Sequence, residues 1–133
     1  MALRTATDAP IPGGDPARGV FAVAFRDRAH GLAVGGDFRP DQASSDAAAR
    51  TADGGRTRRP ATMSPPAHRS GVAWLPRSRT AALAAGPTGT ELTTDAGRTW
   101  RTVGTGSYDT VDCAPDDGCW GGGREGRAAR LEH

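Results

Sequence analysis

Lysine is absent from this sequence of 133 residues; all 17 basic side chains are arginine. The lysine of a phosphate-binding loop is therefore missing, and the absence fits coding bias better than a functional demand. Aromatic residues are scarce at 5% and the apolar share is 36%, so the core is expected to be thin. No run approaches the roughly 20 apolar residues of a membrane span. The opening "MALRTATDAPIPGGDPARG" has no apolar segment of signal-peptide length. The expected compartment is that of an exported parent (secreted, periplasmic or cell-surface), or the cytoplasm if the chain is complete as it stands. The formal charge is only +2, with acids and bases interspersed. Nucleic-acid binding needs a clustered basic patch, and the nearest cluster, Arg56, Arg58 and Arg59, reads as a solvated turn.

Glycine and proline are plentiful instead, 19 and 10 residues without a collagen period. That balance disfavours long helices and points to many short strands joined by turns, in one small domain.

One polar stretch occurs twice. "TADGGRTR" (51–58) returns 42 residues later as "TTDAGRTW" (93–100), with Thr, Asp, Gly, Arg and Thr in step and Gly54 answered by Ala96. Internal periods of about 40–50 residues mark propeller blades or similar arrays, and three units can be aligned around these stretches. In the first, "VFAVAF" alternates as a strand, "RDRAHG" turns, "LAVGG" is a second strand, "DFRPDQASSD" a polar loop and "AAART" a third strand. In the second, "GVAWL" matches "AVAFR", so Trp74 stands where Phe25 stood. "TAALAAG" is matched to "HGLAVGG", and "TELTT" leads into the repeated turn, after which Trp100 opens the next strand. The third reads "YDTVDCA", "PDDG", "CWGGG", "REG", "RAARL". Their expected limits are 19–60, 61–103 and 104–130. Residues 1–18 are expected to be a linker or the remnant of a preceding blade, and 131–133 ("LEH") a tag remnant or native sequence.

At the tip of a hairpin, Asp53 and Asp95 are expected to accept backbone N–H bonds and close an Asx-type turn. Gly55 and Gly97 supply positive φ. Thr51, Thr57, Thr93 and Thr99 bond across the turn, and Trp100 packs its ring between strands. Arg58 stands in the Trp100 position of the first copy, leaving a weaker anchor.

These residues fit Ser/Thr-x-Asp-x-Gly-x-Thr-Trp and resemble the Asp-box, or BNR repeat, of sialidase-like propellers. From about residue 19 to 131 the wording is similar to bacterial WD40/YVTN/BNR-like proteins related to photosystem II assembly factors. The resemblance implies an all-β partial β-propeller of about three four-stranded antiparallel blades. It also implies that the Asp-boxes are structural and lie away from any substrate face. Some proteins of that kind carry an oxidoreductase or glycosyl hydrolase label; no residues here support either. Three blades cannot complete a ring that usually takes four to eight. The chain is therefore expected to be a C-terminal piece of a longer propeller, completed by the parent's remaining blades, or to associate with itself.

Other chemistry is weaker. "GGGREG" holds G-x-G-x-x-G at Gly121, Gly123 and Gly126, but too few residues follow for the helix and distant acid of a dinucleotide site. Cys113 and Cys119 flank "APDDG"; a disulfide across a turn is the preferred reading, which implies an oxidising compartment, and two free thiols remain the alternative. A zinc site wants about four ligands, and His30 and His68 lie in other units. Sialidase chemistry needs a tyrosine nucleophile, an arginine cluster and acids; Tyr108 is the single tyrosine, and Glu91 is expected to face solvent. Asp37, Asp41 and Asp46 are expected to lie in a solvated loop with no EF-hand spacing, the best place for a partner contact. The expected function is a non-catalytic scaffold or binding module with no catalytic residue, no cofactor and no metal, and with an unidentified protein or carbohydrate partner. The alternative is a fragment of a sialidase-like glycoside hydrolase whose catalytic residues lie outside this chain.

Overall fold

The computed structural model describes residues 18–37 and 47–131, together with Ile11 and Arg39. Apart from Ile11 and Arg18, the expected linker 1–18 lies outside them, as do Asp41 and Asp46 of the first long loop.

The described residues contain no helix and form three antiparallel sheets, each a simple meander. The first runs β1 (Arg18–Phe25), β2 (Gly31–Asp37), β3 (Ala48–Thr51), β4 (Arg59–Pro60). The second runs β5 (Gly71–Trp74), β6 (Ala82–Gly86), β7 (Gly89–Thr93), β8 (Arg101–Gly104). The third comprises β9 (Thr110–Cys113), β10 (Cys119–Gly122) and β11 (Ala128–Leu131), three strands among the described residues where four were expected. Leu131, set aside above with the C-terminal tail, closes β11 and is buried. Strand β5 lies against β1 on one side and β9 on the other.

Registers show which side chains are equivalent. Phe25 lies opposite Gly31, and Trp74 opposite Ala82. That sets "GLAVG" (31–35) in step with "ALAAG" (82–86), one residue away from the expected match of "HGLAVGG" with "TAALAAG". Side chains alternate along a strand, so a one-residue slip exchanges the two faces. Leu32 and Leu83 are therefore true equivalents, and each faces the sheet that follows its own.

Two apolar layers follow from this alternation. Between the first and second sheets, Leu32, Val34 and Ala48 meet Val72, Trp74, Ala82, Ala84 and Trp100. Between the second and third, Leu75, Leu83, Ala85 and Leu92 meet Tyr108, Cys119 and Leu131. Alanines 82, 84 and 85 are fully buried; their short side chains let neighbouring sheets approach closely. The first seam is also stitched by polar groups. Trp74 Nε1 donates to the Ala24 carbonyl at 3.0 Å, and the Arg26 guanidinium sits 5.5 Å over the Trp74 ring. The segment leaving β4 pairs with the second octapeptide: Thr62 N–H donates to the Arg98 carbonyl at 2.7 Å, and Trp100 N–H donates to the Met63 carbonyl at 3.0 Å. In the third sheet Cys113 and Cys119 lie directly opposite on β9 and β10 and are joined by a disulfide.

Candidate functional site

Both octapeptides are the hairpin turns between the third and fourth strands of their sheets, β3–β4 and β7–β8. In the first, Thr57 N–H donates to Asp53 at 2.9 Å and the Thr57 hydroxyl at 2.6 Å. The Thr51 hydroxyl accepts Gly55 N–H at 2.9 Å and lies 2.9 Å from Asp53 Oδ1. The second repeats the pattern: Thr99 N–H and hydroxyl donate to Asp95 at 2.9 and 2.5 Å, the Thr93 hydroxyl donates to Asp95 at 2.9 Å, and Gly97 N–H donates to Thr93 Oγ1 at 2.9 Å. Donors converging on a carboxylate favour its charged form. The Thr57 hydroxyl and N–H hold Asp53 at a pKa of about 2. At Asp95 burial opposes ionisation, but the hydroxyl and N–H of Thr99 and the Thr93 hydroxyl keep the pKa below the usual carboxylate range. An acid so held is ionised and fully engaged; it has no proton to deliver and little basicity with which to take one.

The copies differ in depth. Gly55 and Gly97 both adopt positive φ, 92° and 90°. A Cβ on Gly97 would lie 2.3 Å from Leu32 Cδ2 of the first sheet, whereas one on Gly55 would meet nothing within 4 Å. Trp100 is 5% exposed, its ring in the layer between the first two sheets. Arg58, in the same place of the first copy, donates instead to the Gly55 carbonyl at 2.8 Å.

Glu91 corrects an expectation. Far from facing solvent, it is 0% exposed and forms a two-pronged ion pair with Arg69, Nε to Oε1 at 2.5 Å and Nη2 to Oε2 at 2.8 Å. Arg69 is bound further to the His68 carbonyl and the Thr88 hydroxyl, and Thr102 reaches Glu91 Oε2 at 3.2 Å. Sequence reasoning missed the pair because its partners are 22 residues apart and Arg69 sits in a linker. The available hint was a lone acid in the otherwise uncharged strand "GTELT". With its carboxylate capped by a guanidinium in a closed interior, Glu91 has no access to a substrate.

The remaining candidates scatter. The Tyr108 ring is buried against the third sheet with the Arg127 guanidinium 5.3 Å over it, while the Glu91 carboxylate is taken up by Arg69. Gly121 lies on β10 and Gly126 in the hairpin to β11, with no helix behind either. Asp37 ends β2, buried and ion-paired with Arg39. Among the described residues, no group of three or more His, Cys, Asp or Glu is placed to hold a metal.

One surface stands out. The first sheet's face turned away from the second carries Val23 and Phe25, 64% and 50% exposed. Around them lies a cavity of about 280 Å³, reached also by Ala33, Ala49, Gly55 and Arg58.

No protein-family model matches this chain, and no curated protein matches it. Eight chains of solved structures do. One of them, described as YCF48 bound to D1 peptide, superposes with a TM-score of 0.68 at 21% identity, over 94% of this chain and 40% of that one. That likeness and the three stacked sheets show the fold: this is a partial β-propeller. The chain spans 40% of the length of that YCF48 chain. No membrane-crossing helix is present among the described residues.

Proposed function

We propose that this chain is a non-catalytic propeller scaffold that binds a polypeptide partner, and that it is a C-terminal section of a longer, exported BNR-repeat protein. In this reading the octapeptides are Asp-boxes, and the blades fall at about 19–60, 61–103 and 104–130. The observation that carries it is the state of Asp53 and Asp95. The carboxylate of each takes up the N–H and hydroxyl of a threonine in its own turn, Thr57 for Asp53 and Thr99 for Asp95, as a structural pin does. The fold likeness to a propeller solved with a bound peptide supports a protein partner. The disulfide supports an oxidising compartment.

The competing hydrolase reading is tested on the longest reading frame that contains this chain, assayed with fluorogenic sialosides and glycosides. We expect no turnover above the blank. Turnover lost on a substitution elsewhere in the frame would replace the scaffold reading by the hydrolase one.

A further inference from the structure

The hairpins β1–β2, β3–β4, β5–β6, β7–β8 and β9–β10 all close at one end of the stacked sheets, the end that carries both octapeptides. Printed contacts join them into one surface. Gly54 N–H donates to the Ala29 carbonyl at 2.9 Å in the first sheet, and Ala96 N–H to the Thr80 carbonyl at 2.9 Å in the second. Gly97 rests against Leu32 of the first sheet, and Arg77 N–H reaches Asp117 Oδ1 of the third at 2.9 Å. This end runs across the stack. Further blades of a longer propeller would stack on the outer sheet faces, lengthening this end without covering it.

Its arginines repeat with the sheets. Asp27 Oδ1 accepts the N–H groups of Ala29 and His30 at 2.8 and 2.7 Å, as Ser78 Oγ accepts those of Thr80 and Ala81 at 3.1 and 3.0 Å. Arg28 and Arg79 therefore hold the same place in successive sheets. Arg56 and Arg98 hold the same place in the two octapeptides. All four are exposed, and among the described residues their guanidinium groups make no hydrogen bond and no ion pair. The aspartates beside them are occupied. Asp27, Asp53 and Asp95 take up N–H groups of their own turns, which offset their charge, whereas the arginines present theirs outward. The third sheet breaks the repeat: its hairpin 114–118 carries Asp116 and Asp117 and no arginine.

We propose that this end binds an extended glutamate- or aspartate-rich segment of the polypeptide partner, laid across the first two sheets with its carboxylates on Arg28 and Arg56 of one and Arg79 and Arg98 of the next. This rests on the scaffold reading and adds to it the face and the chemistry of the partner. A guanidinium offers a planar fork that meets a carboxylate with two parallel N–H bonds. Two forks in one sheet, repeated in the next, give a basic track with the period of the blade. Complementary charge of this kind steers a partner and fixes its register. Asp116 and Asp117 bound the track at the third sheet, which favours a short acidic segment over a long uniform polyanion such as a nucleic acid.

Fluorescence anisotropy of a labelled deca-glutamate peptide, titrated with the longest reading frame that contains this chain, tests it. Saturable binding is expected at low salt, with none to deca-glutamine, and should fade toward about 1 M salt, where screening acts within about 3 Å. Arg28→Glu combined with Arg79→Glu is expected to weaken binding by about 10-fold or more, since exposed pairs are lost and like charges take their place. Arg56→Gln combined with Arg98→Gln, the milder change, is expected to weaken it by about 3-fold. Asp116→Asn keeps an oxygen for the Gly118 N–H and should tighten binding by about 2-fold. The four arginines are exposed, so unfolding midpoints of both arginine variants should stay near wild type. No saturable binding, binding indifferent to both arginine variants, or equal affinity for a labelled single-stranded DNA ten nucleotides long would overturn the proposal. Glycoside turnover decides the scaffold reading separately: a protein that neither binds deca-glutamate nor cleaves a glycoside keeps the scaffold and loses this binding face.

Discussion

Asp53 and Asp95 make nearly the same hydrogen bonds, yet Asp53 is exposed on an outer hairpin while Asp95 lies part-buried beside a buried indole. Depth decides what each is worth, because a buried donor left without its acceptor keeps the full desolvation cost. Asp95→Ala is expected to lower stability by about 1–3 kcal/mol, and by more than Asp53→Ala; denaturant midpoints compare them, and equal losses would refute the ranking. Acid provides a second measurement. Both folded-state pKa values lie below the ordinary 3.8, Asp53 at about 2. A depressed carboxylate pKa means that the turn's contribution is complete above pH 4 or so and is lost as the pH falls toward 2. Denaturant midpoints should therefore decline over that window, and Asp53→Asn should flatten the decline.

At the scale of elements, the two glycines form a matched pair. Each has positive φ, so an added side chain strains both turns; only Gly97 also meets another sheet. Gly97→Ala is expected to cost about 1–3 kcal/mol more than Gly55→Ala, the usual toll of overpacking, as read from thermal or urea midpoints of the two variants. A difference near zero would mean that the first two sheets do not press together at this turn. Strands themselves were largely legible in the sequence. "VFAVAF", "GVAWL" and "TELTT" sit inside or beside β1, β5 and β7, because alternation and flanking turn residues act locally. The pairing offset between "GLAVG" and "ALAAG" was not, since the hairpins 26–30 and 75–81 differ by two residues and only register shows which residues face each other. β4 escaped as well: two residues ending in proline carry no periodicity.

For the molecule as a whole, Arg69 and Glu91 tie the connection between the first and second sheets to strand β7. Removing one partner of a buried pair leaves an uncompensated charge, whereas replacing both with apolar groups is far milder. Arg69→Met is expected to cost about 3–5 kcal/mol, and adding Glu91→Leu to recover much of it; a double-mutant cycle on unfolding free energies checks the coupling, and strict additivity would contradict it. The pair was invisible in the sequence because long-range burial depends on how the sheets stack, which no local pattern encodes. The same holds for the exposed Phe25 and the covered Trp74: alike in their strands, they differ only by what lies over them.

The strap from Thr62 to Met63 has a bearing on how such arrays can be taken apart. Its backbone completes the hairpin of the sheet downstream, so the folding unit is staggered against the sheet boundary: the second sheet borrows its lock from the tail of the first. A single sheet excised at its strand ends would lose that borrowed edge and leave the Trp100 amide and the Arg98 carbonyl without their backbone partners. Shuffling or transplanting these repeats should keep the strap attached to the hairpin that it fastens, and place the cut within a hairpin loop such as 75–81 instead.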